Sequence, residues 1–269
     1  MKKFLVLVIV FIFQKGTSQE LFLVTDPASN VPANSLAINV LQSAFQSEMT
    51  SGSIYSIMPE VTYGLNRNLM LRASAFASNK NDNLEAEGGS IYAKYRFYSE
   101  DDINSHFRMA AFGRYSFNNS NVIQEQIEIM GNNTGFETGI VATKLIKKLA
   151  ISSTVSFEKV FDNTSNHAFP DNFGSTATNY TLSFGKLMYP KKYTSLKQTN
   201  INLMLEFVGQ TINENGKSYL DAVPVIQFIF NSQARLDLAY RRELISSMNR
   251  NASNGVYLNL YYTFFNLKN

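Results

Sequence analysis

The chain has 269 residues, room for one large domain or two ordinary ones, with 24 Lys and Arg against 21 Asp and Glu and no cysteine. So even a balance excludes the basic surface that nucleic acid requires, and the lack of thiols excludes disulfides and thiolate metal sites.

The first residues set an address. Met1-Lys2-Lys3 is a short basic region, Phe4 to Phe13 is apolar, and Gly16-Thr17-Ser18 offers small residues for cleavage, so residues 1–18 read as a secretory signal peptide. Its loss takes three of the 24 basic residues and none of the 21 acidic ones, leaving 21 of each sign. No apolar run of about 20 residues follows, so a chain that crosses a bilayer must do so as a closed β-barrel.

Residues 19–34, with Pro27 and Pro32, read as an irregular lead-in on the periplasmic side, and residues 35–269 as the barrel. From Ser35 the pattern has a period of two, as side chains alternate between the faces of a strand. Leu36, Ile38 and Val40 begin the first strand. Further strands are expected at Ile54 to Tyr63, Leu69 to Ala77, Gly89 to Tyr98, Phe107 to Tyr115, Gly135 to Leu145, Leu149 to Phe161, Thr176 to Met188, Thr199 to Gly209, Tyr219 to Phe230 and Arg235 to Glu243. The last, Gly255 to Phe265, sets Val256, Leu258, Leu260, Tyr262 and Phe264 against Tyr257, Asn259, Tyr261 and Thr263, and has the length of a tilted membrane strand, about 9–11 residues.

The expected fold is all-β: a transmembrane antiparallel up-and-down barrel of about twelve strands, with ten or fourteen as alternatives. Connections alternate in length. Gly64 to Asn68, Ile146 to Lys148 and Asn231 to Ala234 are short. Ser78 to Glu87, Asn118 to Asn133, Asp162 to Ser175 and Leu244 to Ser253 are longer and polar, matching the short periplasmic turns and longer external loops of such barrels. Tyr189 to Gln198 breaks this rule.

Three stretches carry a family resemblance: Asp26-Pro27-Ala28-Ser29-Asn30-Val31-Pro32-Ala33, Glu87 to Phe97, and Phe107 to Gly113. They resemble a family of uncharacterised outer-membrane β-barrels of Bacteroidota. The resemblance implies location and fold and supplies no catalytic residue. The terminal aromatic strand is similar to the final strand by which outer-membrane barrels engage their assembly machinery.

A cation on the lipid face at mid-bilayer costs roughly 2 to 4 kcal/mol, so charged faces are expected to point inward. Arg72, Lys94, Arg96, Arg108 and Arg114 then form a basic wall of the lumen, and Glu137, Glu158, Glu206 and Asp221 an acidic wall, with Glu60, Arg235, Asp237 and Arg241 as further lumen charges. The Leu, Ile, Val and aromatic faces are expected outward. Lys144, Lys159 and Lys186 fall outward near strand ends, where a lysine stem can reach the headgroups.

Two facing walls of opposite sign would set a transverse field in a pore for small polar or charged solutes. The alternative is a narrow barrel closed by its own ion pairs, or a receptor or adhesin acting through external loops; Asn118 to Asn133 carries Val122, Ile123, Ile127, Ile129 and Met130, apolar for an exposed loop. A hydrolase would need a base beside a nucleophile. The two histidines, His106 and His167, are expected at opposite ends, and Asp162 and Asp171 beside His167 make only a weak constellation. The chain is therefore expected not to be an enzyme. No cofactor or metal is implied, and the expected partners are outer-membrane lipid, the assembly machinery and a small solute.

Overall fold

The computed structural model describes residues 22–48, 52–81, 83–164, 167–170, 172–190 and 198–267. The signal peptide, Asp171 and most of the Tyr189 to Gln198 connection lie outside these residues.

Twelve strands among the described residues close into one antiparallel barrel: β1 Leu36–Gln46, β2 Ser53–Gly64, β3 Leu69–Asn81, β4 Asn83–Asp101, β5 Ser105–Asn118, β6 Thr134–Ile146, β7 Leu149–Phe161, β8 Thr176–Tyr189, β9 Asn200–Ile212, β10 Ser218–Phe230, β11 Ala234–Ser246 and β12 Gly255–Phe264. Each strand pairs with its sequence neighbour. Closure is made by β1 on β12, from Leu36 opposite Phe264 to Phe45 opposite Gly255. No edge is left, so the backbone groups of the wall are satisfied within it.

Apart from the 190–199 connection, turns are tight at the end where β1 begins and β12 finishes. In the β10–β11 turn Asn231 and Ser232 have φ of 50° and 57°, the left-handed conformation that small polar residues tolerate in hairpins. The opposite end carries the connections 119–133, 162–175 and 247–254, hereafter the loop end.

Alternation holds around the ring. Ile91, Ile140, Val155 and Leu260 are 66%, 51%, 58% and 49% exposed, while Lys94, Glu206, Asp221 and Asp237 on inward faces are at most 1% exposed. Lys144, on the outward face, lies 5.5 Å from the ring of Phe107.

Two expectations need correction. Ser78 to Glu87 is no loop: β3 and β4 run through it and pair to Asn81 opposite Asn83. Ser78 donates to Glu87 at 2.6 Å and Lys80 pairs with the same carboxylate at 3.3 Å, so polar side chains hold a hairpin where no apolar period exists. His106, expected in a turn, lies in β5 opposite Asp101, because the turn is confined to residues 102–104. The inward faces also carry apolar side chains. Met70, Tyr92, Phe112, Val141 and Leu145 are buried there, packed in clusters with residues of the segment 22–31.

Candidate functional site: the lumen

Residues 22–31 run inside the barrel. Phe22 packs with Met204, Val223, Val225 and Ala239, and Ala28 with Met70, Tyr92, Ala110 and Phe112. The polar grip is more specific. Glu206, at the middle of β9, accepts the backbone N–H of Leu23 at 2.8 Å, of Val24 at 3.2 Å and of Thr25 at 2.9 Å, as well as the Thr25 hydroxyl at 2.8 Å. Three successive amides thus converge on one carboxylate, and charge-assisted bonds of this kind are about twice as strong as neutral ones.

The next residue is clamped from the other side of the ring. Asp26 receives Arg72 at 3.1 Å and lies 3.5 Å from Lys94. Lys94 also donates to the carbonyl of Pro27 at 2.6 Å, Ala28 donates its N–H to Thr143 at 2.9 Å, and Arg108 donates to Ser29 at 2.8 Å. Burial alone would raise the Asp26 carboxyl, but Arg72 and Lys94 hold it well below the usual carboxylate range.

At the loop end, residues 119–133 fold into the mouth. Ile127 and Ile129 are buried with Val160, Ile212, Tyr219 and Met248. Both backbone groups of Ile127 are taken by one side chain: Gln210 accepts its N–H at 2.9 Å and donates to its carbonyl at 2.8 Å. Arg250, from the β11–β12 connection, reaches down beside it. Its guanidinium makes two bonds to Asp221, at 2.8 and 2.6 Å, a third to Glu243 at 2.9 Å and a fourth to Gln126 at 2.7 Å, and lies 3.8 Å from the Tyr219 ring.

A second contact holds the same loop from its rim. Lys217 and the backbone of Asn249 bond Glu125 and lower its carboxyl from the usual value. A depressed folded-state value means that this contact contributes above the ordinary carboxylate range and is lost as pH falls through the depressed one. Limited proteolysis of loop 119–133 is therefore expected to accelerate on acidification in wild type and to lose that acid dependence in Glu125→Gln.

Between the two insertions lies a cavity of about 360 Å³ lined from every side of the ring. Arg72, Lys94, Arg114, Glu60, Glu137, Glu158, Arg235 and Arg241 line it. The charges are paired locally. Arg114 meets Glu137 on the adjacent strand at 3.7 Å, Arg72 lies 3.9 Å from Glu60, and Arg241 bonds Asp221 at 2.6 Å. Arg72 and Arg114 each stand 5.1 Å from the Tyr92 ring, one cation on each approach to it. Glu137 and Glu158 are direct cross-strand partners; Ser156 donates to the first at 2.8 Å and Gln210 to the second at 3.1 Å.

The remaining predicted residues, Arg96, Arg108 and Asp237, lie apart from this lining. Arg96 donates to the Arg67 carbonyl at the turn end. Arg108 also bonds Asp101 near that end, and Arg235 pairs with Asp237 at 3.0 Å under Asn259.

The two histidines do not meet. His106 pairs with Asp101, and His167 contacts the Asn119 carbonyl at the loop end. Among the described residues no three His, Cys, Asp or Glu side chains form a metal-binding group.

Sequence reasoning did not single out Asp26, Gln210 or Arg250 as site residues. Asp26 lay in a segment read as irregular, although an acid directly before Pro27, ahead of strands rich in inward cations, was a usable signal. Arg250 sits in a polar loop without periodicity, and nothing local marks it.

No family model and no curated protein matches the sequence. Among solved structures, the chain is similar to the COG4313 outer membrane channel from Pseudomonas putida F1, with a TM-score of 0.53 and 14% identity over 89% of this chain and 98% of that one. It is less similar to the KdgM porin, with a TM-score of 0.47 and 10% identity over 85% and 99%. OprD of Pseudomonas aeruginosa follows with a TM-score of 0.40 and 11% identity over 85% and 66%. At such identities the likeness is one of fold: a closed antiparallel β-barrel.

Proposed function

We propose that the chain is an integral outer-membrane barrel that passes small solutes through its lumen, with passage set by the lead-in segment and loop 119–133. The observation that carries this reading is the cavity of about 360 Å³ between those two insertions, reached by side chains from all around the ring. Both insertions are held substantially by hydrogen bonds and ion pairs to the wall, contacts that water can replace. A purely structural barrel would be served by a packed apolar interior.

Planar bilayer recording of the purified full chain tests the reading. Small, discrete current steps in potassium chloride are expected, and larger steps once the lead-in is removed. A barrel that carries no current in either form is closed, and the receptor reading, with the lumen as a mere core, would replace the channel.

Membrane embedding rests on the apolar outer face and has its own test. Val155 stands at the centre of β7 and is 58% exposed. Val155→Arg is expected to destabilise the barrel in lipid vesicles by about 2–4 kcal/mol, against about 0–1 kcal/mol for Leu65→Arg in a tight turn. Equal effects at the two positions would mean that no hydrocarbon surrounds the strands. In this reading the chain belongs among the Bacteroidota barrels it resembles, is exported by residues 1–18 and engages the assembly machinery through β12. It performs no covalent chemistry.

A further inference from the structure

The cavity between the lead-in and loop 119–133 has two unlike sides. On β1 to β3, Leu41, Phe45, Met58 and Phe76 face it. Of the uncharged polar side chains beside them, Ser43 and Ser56 bond each other at 2.5 Å, Asn39 donates to Glu60 at 2.7 Å and Thr62 accepts from Arg72 at 3.1 Å. On β7 and β8, which stand opposite in a ring of this order, Thr154 and Thr181 face it instead. Their hydroxyls are shielded from solvent and have no hydrogen-bond partner among the described residues. Such groups are rare in folded proteins, because each carries an uncompensated desolvation cost.

The apolar side also extends into the wall. Ile57 and Ala77 are cross-strand partners whose neighbours in sequence point inward, yet both line the cavity. The β2–β3 ladder breaks beside them. Pairing stops at Ile57 opposite Ala77 and resumes at Glu60 opposite Ser74, since Pro59 has no N–H to give. The β10–β11 ladder breaks in the same way around Pro224, but there Phe22, Val223, Val225 and Ala239 fill the inner side. Only the break at Pro59 is left facing empty space.

We propose that this cavity binds a small, uncharged amphipathic organic molecule, its ring or short chain against Leu41, Met58 and Phe76 and its hydroxyl or amide against Thr154 and Thr181. The volume falls in the range of small-molecule sites, about 300–1,000 Å³. The charges around the rim already satisfy one another, through Arg72 with Asp26 and Arg114 with Glu137, so a charged ligand would have to displace an existing partner. An uncharged head needs only the two free hydroxyls. The proposal deepens the channel reading and rests on it for the ligand's arrival, but the binding itself is independent of current.

Equilibrium dialysis of 2-naphthol against the full chain in lipid nanodiscs tests it, with empty nanodiscs as the lipid blank and glucose as a hydrophilic probe. Saturable uptake of 2-naphthol at one site per barrel is expected, with none of glucose. Leu41→Gln, on the apolar side, is expected to weaken binding about tenfold, the scale of an apolar contact of one leucine lost to water. Thr181→Val keeps the shape and removes the hydroxyl, so it should weaken binding several-fold while the barrel keeps its heat-dependent migration on gels. Uptake no greater than the blank, preference for glucose, or Leu41→Gln and Thr181→Val both binding like wild type would overturn the proposal. Binding without current would sink only the channel reading, and current without binding only this one.

Discussion

Deleting residues 22–31 is expected to raise single-channel conductance several-fold while leaving a folded barrel. The segment crosses the lumen at the level of Glu206 and Arg72, and its removal clears that cross-section. The deletion strips Glu206 of its four donors and Arg72 and Lys94 of Asp26. In a dry interior that would unfold a protein, because unpaired buried charge costs several kcal/mol. Here the vacated volume adjoins the end of the barrel where β1 begins, so water takes the place of the segment and solvates the same groups. The wall keeps its ladder bonds, which do not involve residues 22–31. Glu206→Gln should produce a milder form of the same effect, with intermittent larger openings, since a neutral amide holds three converging N–H groups less firmly than a carboxylate. Acid at the ordinary carboxylate range should leave the Asp26 clamp intact. The Asp26 carboxyl is depressed, so its contribution is fully present above the unfolded-state value and is lost only as pH falls through the lower one. Conductance unchanged by the deletion would place the restriction entirely in loop 119–133.

The strands were legible because the bilayer imposes a simple rule on them. In β12 every second residue from Val256 to Phe264 is apolar, and the structure turns that face outward with Val256 and Leu260 50% and 49% exposed. Above the apolar belt the rule lapses. Asn79, Lys80, Glu85 and Glu87 carry no apolar period, because Lys80 and Glu87 turn inward to pair with each other while Glu85 meets water, and the sequence there looks like any polar loop. Inward faces were readable only through the charges they carry, Arg72 marking the face of Met70 and Arg114 that of Phe112, and what covers those faces was not. Met70, Phe112 and Val141 face the lumen because Ala28 and its neighbours cover them, and that cover comes from a segment distant in sequence. The same reason hid the latch of the mouth. Gln210 looks like any inward polar residue of a strand until loop 119–133 is placed against it, and Arg250 acquires its role from Asp221, 29 residues earlier in the chain. The pairing of charges followed suit. Arg114 finds Glu137 across one ladder, and the lead-in brings its own acid to the basic side, so the local partners neutralise much of what two facing walls would have expressed as a field.

Asp221→Ala is expected to release loop 119–133 and to destabilise the barrel more than any other single replacement in the mouth. Asp221 is fully buried and accepts from two guanidiniums at once, Arg241 at 2.6 Å and Arg250 at 2.8 and 2.6 Å. Removing it leaves two cations facing each other beside Tyr219 with no shared anion. Stranding one buried charge costs about 3–5 kcal/mol in a dry site, and water entering from the mouth would lessen that figure. The cheapest relaxation is for Arg250 to swing out to solvent, keeping its bond to Glu243 and giving up Gln126, which frees the loop that Gln126 belongs to. Urea unfolding in lipid vesicles should therefore shift to lower denaturant, and protease should cut within residues 119–133 where it does not in wild type. Adding Arg250→Leu to Asp221→Ala removes one of the two stranded cations, so the double variant should recover part of the stability without regaining the closed loop. That non-additivity is the signature of a shared ion-pair network. Independent, additive losses would mean that Arg250 and Asp221 merely lie side by side, and that apolar packing of Ile127 and Ile129 alone holds the mouth shut.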